Sequence, residues 1–87
     1  MRMRKKKNLH PRMEVCQAYW ITEPAALAGH WHDLMPQAKA LHVELGCGKG
    51  RFTVETAKSE PDVLLIAVEK VPDAMVVAME RAKSEGL

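Results

Sequence analysis

The sequence predicts an α/β fold built on parallel strands, and three observations carry that reading. Residues 41–45 form a short apolar segment that breaks into alternate glycines at Gly46, Gly48 and Gly50. Residues 63–68, Val-Leu-Leu-Ile-Ala-Val, form a continuous apolar run of the kind shown by a strand buried on both faces. Between them, residues 50–60 suit a short helix, which gives the strand-helix-strand spacing of a right-handed βαβ crossover.

In the first strand Leu41, Val43 and Leu45 alternate with His42 and Glu44. The intervening helix is expected to turn Phe52 and Ala57 inward and Glu55 and Lys58 outward, and to stop before Pro61-Asp62. After the second strand and Glu69, Pro72-Asp73 marks a new helix start. Met75, Val76, Met79 and Ala82 then recur at helical spacing as a core face, with Glu80, Arg81 and Lys83 on the other side. Lys70 reads as a surface neighbour of the strand end.

The amino end has a different composition. Arg2, Arg4, Lys5, Lys6, Lys7 and Arg12 precede the first acid, Glu14, and leave seven bases against eleven acids in the rest of the chain, a balance of −4 beneath an overall +2. Residues 1–12 therefore read as a basic arm too poor in apolar groups to order itself. Two roles fit it, a solvated tail and an arm that neutralises nucleic-acid phosphates, and charge alone does not separate them. Residues 13–39 read as a helical lead-in: an apolar stretch through Val15, Cys16, Ala18, Tyr19, Trp20 and Ile21, then a helix capped by Thr22 and running through Pro24 and Leu27 towards Leu34, stopped by Pro36. Residues 40–87 hold the two strands and their helices.

No apolar core of a secretory signal follows the basic residues, and no segment approaches the ~20 apolar residues of a membrane span. Two cysteines, Cys16 and Cys47, are too few and too far apart for a metal knuckle or redox pair, and reduced thiols in a cytoplasmic protein are the simplest account. His30-Trp31-His32 invites a metal reading, but alternate histidines on a helix point apart and no third ligand is near, so Trp31 is expected to pack and no metal site is expected.

The glycine run carries the chemistry. Its glycines permit a sharp turn and close approach of a ligand, with bare amides expected to face that ligand. A dinucleotide fingerprint places its third glycine where this chain has Arg51, and a phosphate loop ends in Gly-Lys-Ser/Thr, which is absent here. What remains is an acid, Glu44, two residues before the first of three alternate glycines, which resembles the first motif of Rossmann-like S-adenosylmethionine-dependent methyltransferases. A carboxylate beside the loop favours a cofactor that carries an ammonium and a sulfonium and would repel a pyrophosphate. Glu69 lies at a strand's carboxyl end, ~20 residues past the loop, where a βαβ unit places its ribose-binding acid. Cys47 supplies a small side chain within the loop; a nucleophilic thiol is the alternative reading.

Taken together, the arginine-lysine start, Gly29-His30-Trp31, the run Glu-Leu-Gly-Cys-Gly-Lys-Gly-Arg-Phe at 44–52 and Val68-Glu69-Lys70 resemble the bacterial tRNA (guanine-N7-)-methyltransferases over the whole chain. The resemblance implies a Rossmann-like class I sheet and transfer of a methyl group from S-adenosylmethionine to N7 of guanosine 46 in the tRNA variable loop. It further implies cofactor contacts at Glu44, Gly46, Cys47, Gly48, Gly50 and Glu69, and tRNA contacts at Arg2, Arg4, Lys5, Lys6 and Lys7. Guanine N7 carries an available lone pair and attacks a sulfonium methyl without first losing a proton, so alignment rather than general-base strength is required. The base must also leave its tertiary contacts in tRNA to be reached.

A complete sheet of this class needs roughly 200 residues, about one domain. Only its first two βα units are expected here, with the remaining cofactor residues and every catalytic residue outside these 87. An edge beside residues 41–45 is then left open, and these residues alone are expected to bind cofactor weakly and to aggregate. Two further readings stay open: a methyltransferase of the same fold acting on another RNA or a small molecule, and an inactive RNA-binding piece.

Overall fold

A computed structural model describes residues 8–87. In chain order the regular elements are α1 (Leu9–Val15), β1 (Ala40–Leu45), α2 (Arg51–Ser59), β2 (Val63–Val68) and α3 (Pro72–Ser84). The two strands are parallel and paired from Ala40 opposite Val63 to Leu45 opposite Val68. Parallel neighbours need a crossover, and α2 supplies it. The expected α/β order is therefore present.

Each boundary has a local cause. Pro72 opens α3 at its first helical position, where a missing amide costs nothing, with Asp73 in the first turn and Arg81 and Lys83 in the last, matching the helix dipole at both ends. Pro72 also holds Val71 extended (φ −97°, ψ 107°), so β2 ends in a bend and not in a continuous helix. Helix α2 has no side-chain cap and starts from Gly50 in the left-handed region, with Lys58 in its last turn.

The core lies between α1 and α3. Met13 and Cys16 are buried against Val76 and Met79, and Leu9, Tyr19, Trp20, Met75 and Val77 pack around them half-buried. Full burial of a side chain such as Val76, Met13 or Met79 contributes about 1.5–3 kcal/mol. Among the predicted core residues of α3, Val76 and Met79 are buried, whereas Met75 and Ala82 are half-buried.

Several expectations are corrected. Helix α1 begins at Leu9, so residues 9–12 of the arm are ordered; Arg12 lies against α3 and bonds to Glu80. The lead-in is not one helix from Thr22 to Leu34. It forms separate single turns at Pro24–Leu27 and Trp31–Leu34, because Gly29 sits at φ +78° and breaks the path between them. Trp31 is half-buried; His32 Nε2 lies 3.0 Å from the Ala38 carbonyl, and His30 pairs with Asp33. Phe52 points outward and is 73% exposed, while Val54 is the buried residue of α2. Two positions apart on a helix lie nearly opposite, so burying Val54 turns Phe52 to solvent. Strand β2 is half-buried over residues 63–66 and exposed at Ala67 and Val68 rather than buried on both faces. In β1 the odd-numbered face is open, with Val43 57% and Leu45 80% exposed. Residues 1–7 of the arm, with the expected tRNA contacts Arg2, Arg4, Lys5, Lys6 and Lys7, lie outside the described residues.

Candidate cofactor-binding site

The site grows from the carboxyl ends of the two strands. Where β1 ends, the amides of Gly46 and Cys47 both donate to the Val68 carbonyl, at 2.7 and 3.1 Å, so the loop begins as a clasp on the last residue of β2. The Gly48 amide then donates to Glu69 Oε1 at 2.8 Å, and the Gly50 amide donates to the Cys47 carbonyl at 3.0 Å, closing the turn into α2.

This pattern corrects the expectation of bare amides. The amides of Gly46, Cys47, Gly48 and Gly50 are all engaged within the protein. These four amides reach a ligand only by giving up a bond within the protein. What the loop presents is carboxylate.

Glu69 is the better fixed of the two acids. Its Oε1 accepts from Gly48 and its Oε2 accepts from the Val71 amide at 3.1 Å. These two bonds, the Gly48 amide foremost, hold the Glu69 carboxyl below the usual carboxylate range. A carboxylate oxygen takes more than one donor, so each retains capacity for a ligand hydroxyl. Glu44, on the face of β1 opposite Leu45, reaches α2, where the Thr53 hydroxyl donates to its Oε1. A carboxylate accepts at both oxygens, so the second oxygen of Glu44 is the acceptor a cation would use. Burial raises the Cys47 thiol above its usual range, and Glu69 and Glu44 raise it further. The thiol therefore stays neutral, which disfavours the nucleophilic reading.

The three loop glycines divide by role. Gly46 (φ +72°) and Gly48 (φ +59°) have open space where a Cβ would stand, so their backbone borders the accessible side of the loop. Gly50 is buried at φ +79°, and an added Cβ would meet the Cβ of Ala78 at 2.5 Å and its Cα at 2.7 Å. It packs the start of α2 against α3.

The structure thus brings together Glu44, Gly46, Cys47, Gly48 and Glu69 and sets Gly50 behind them. It adds two members that sequence reasoning missed. Thr53 orients Glu44 from nine residues away, and the only sequence signal was its place in the first turn of the helix after the loop. The Val71 amide was foreshadowed by Pro72, which keeps Val71 extended. A separate shallow cleft of about 190 Å³ between α2 and α3, lined by Arg51, Glu55, Arg81 and Ser84, contains none of these residues. Among the described residues no group of three or more His, Cys, Asp or Glu is placed to hold a metal, and no helix is long and apolar enough to cross a membrane.

Comparison with known proteins bears on this geometry. A family model described as putative methyltransferase matches residues 38–87, more than half of the chain and all of the strand-loop-helix unit that builds the site. The chain belongs to this methyltransferase family. Its α/β architecture is accordingly that of the first βα units of a Rossmann-like methyltransferase. Curated relatives named tRNA (guanine-N(7)-)-methyltransferase extend the likeness into the lead-in. The Geobacillus thermodenitrificans protein is 37% identical over 81 residues, covering 93% of this chain and 38% of the relative. The Geobacillus kaustophilus protein is 37% identical over 87 residues, all of this chain and 40% of the relative. That of Halalkalibacterium halodurans is 39% identical over 67 residues, 77% of this chain and 30% of the relative. The chain spans about two-fifths of the length of the first two. No solved structure matches it.

Proposed function

We propose that the intact protein transfers a methyl group from S-adenosylmethionine to N7 of guanosine 46 in the variable loop of tRNA. Residues 40–87 are the first half of its cofactor-binding domain and residues 13–39 the lead-in. The observation that carries the reading is the balance at the loop: four amides engaged internally and two half-buried carboxylates, Glu44 and Glu69, beside it at the carboxyl ends of the strands. That balance fits a ligand with an ammonium, a sulfonium and ribose hydroxyls, and misfits a phosphate. The names of the relatives supply the substrate.

S-Adenosylmethionine, when bound, supplies an electrophilic methyl on a positively charged sulfur. Glu69, held by Gly48 and Val71, accepts hydrogen bonds from the ribose hydroxyls. Glu44, oriented by Thr53, balances the ammonium. Gly46, Cys47 and Gly48 let the backbone approach without a bulky side chain. Fixing these groups before the reaction lowers the entropic part of the barrier, which is the main contribution required when the nucleophile is already an unprotonated ring nitrogen. The basic residues Arg2, Arg4, Lys5, Lys6 and Lys7 contact tRNA phosphates, and the place of work is the cytoplasm.

The test is to supply labelled S-adenosylmethionine and unmodified tRNA to the intact protein and to map the product by chemistry that cleaves at 7-methylguanosine. Cleavage at the variable loop is the expected result. Label elsewhere in RNA, or in small molecules only, supports a methyltransferase of other substrate, and no label rejects the assignment.

A further inference from the structure

The lysines and arginines among the described residues divide by partner. Arg12 bonds to Glu80, Lys39 pairs with Asp62, Lys58 pairs with Glu85, and Lys83 donates to the Val15 carbonyl. Of the other four, Lys49 lies within the cofactor loop, and Lys70 follows Glu69, whose carboxyl its charge helps to hold down. The last two, Arg51 and Arg81, are exposed and have no ion pair among the described residues, and both line the cleft of about 190 Å³ between α2 and α3. Guanidinium groups stay charged throughout the working pH range. Two of them facing one cleft repel, and an anion between them removes that repulsion while accepting a bond from each fork. Ser84 adds a hydroxyl to the same lining. The acids of the cleft do not fill this role. Glu85 is engaged by Lys58 at 3.4 Å, and Glu55 pairs with neither guanidinium, so Arg51 and Arg81 against Glu55 leave an excess of one positive charge.

We propose that the α2–α3 cleft is a phosphate-binding site, in which Arg51 and Arg81 together hold one backbone phosphate of the RNA substrate with help from the Ser84 hydroxyl. The proposal rests on the tRNA methyltransferase reading. Its link to that reading is position: Arg51 directly follows Gly50, so the cleft begins where the cofactor loop ends. An RNA that delivers a base to a methyl group at that loop carries a phosphate on either side of the base and brings anions to this end of α2. Phosphate contacts fix register and orientation and carry no sequence information, so the cleft positions the target nucleotide and does not select it. None of the bonds that hold the cofactor loop or its two acids involves Arg51 or Arg81, so the cleft acts on RNA and leaves the cofactor in place.

The experiment measures binding of labelled unmodified tRNA to the intact protein by fluorescence anisotropy over a series of salt concentrations, with S-adenosylmethionine affinity by calorimetry and Tm on the same samples. The variants are Arg51→Gln, Arg81→Gln, the two together, and Glu55→Gln. Each arginine variant is expected to weaken tRNA binding about three- to tenfold. The double variant should lose less than the product of the single losses, because both groups hold one phosphate. It should also flatten the slope of log affinity against log salt by about 0.7–0.9, the loss of one phosphate contact. Glu55→Gln removes the unpaired acid of the cleft and is expected to tighten tRNA binding about two- to fivefold. Cofactor affinity stays within about twofold of wild type in all four. Unchanged tRNA affinity in the double variant overturns the proposal, and so does a Glu55→Gln variant that binds tRNA no more tightly than wild type. A loss of S-adenosylmethionine affinity in Arg51→Gln at unchanged Tm assigns that arginine to the cofactor and overturns it too. Where an arginine variant loses Tm, Glu55→Gln decides, since it leaves both guanidinium groups in place. If the wild-type protein binds cofactor but neither binds nor methylates tRNA, the functional reading itself has failed.

Discussion

The glycine loop and helix α1 are attached to the molecule by different physics. Backbone amides of residues 46, 47, 48 and 50 fix the loop, bonding to Val68, Glu69 and Cys47, and the side chains there contribute acceptors. Helix α1 is fixed by side chains from α3: apolar burial around Val76 and Met79, the Arg12–Glu80 pair, and Lys83 on the Val15 carbonyl. Damage to the loop should therefore register in cofactor binding and damage to α1 in the stability of the α1–α3 core. Among the described residues α3 joins the two regions, packing on Gly50 from one side and on α1 from the other.

The comparison breaks most visibly at Gly50. Gly50→Ala meets both a positive φ and the backbone of Ala78, and is expected to lower stability by about 3–5 kcal/mol in denaturant unfolding, with cofactor affinity failing as α2 is displaced. Met79→Ala, in the α1–α3 core, should cost about 2–4 kcal/mol and loosen α1 while leaving the loop folded, which hydrogen exchange at the amides of residues 46–50 would show as retained protection. Gly48→Ala meets open space and carries the backbone penalty alone, about 1 kcal/mol in the same unfolding measurement. A Gly48 variant as costly as Gly50→Ala would contradict the division of the glycines.

Smaller effects sharpen the picture within the loop. Thr53→Val removes the hydroxyl that orients Glu44 and should weaken S-adenosylmethionine binding by about three- to tenfold, with Thr53→Ser near wild type. Acidification supplies a further check. The folded Glu69 carboxyl titrates below its usual range, so its stabilisation of the loop is complete above that range and is lost as pH falls through the depressed value. Calorimetric cofactor affinity should decline across that acidic window, and Glu69→Gln should abolish this part of the decline.

The parts that the sequence made legible are those set by neighbouring residues. Apolar run, glycine run and the Pro72 start place β2, the loop and α3 because pattern and turn chemistry act within a few positions. Glu44 and Glu69 were legible as acids at strand ends. Illegible were features that depend on distant partners. Arg12 looks like its basic neighbours until Glu80 is brought beside it across the fold. Phe52 looks like core until the packing of Val54 sets the rotation of α2. Gly50 looks like its fellow loop glycines until Ala78 arrives. The free amides failed for the same reason: Val68 and Glu69 reach the loop only once β2 is paired with β1.

The most direct test is calorimetric titration of S-adenosylmethionine into the intact protein and its Glu69→Gln variant, with tRNA affinity measured beside it. Losing the charge and one acceptor of a carboxylate held by Gly48 and Val71 should weaken cofactor binding by about tenfold or more while tRNA binding stays within about twofold of wild type. Equal cofactor affinity in the two proteins would contradict the assignment of this loop as the cofactor site.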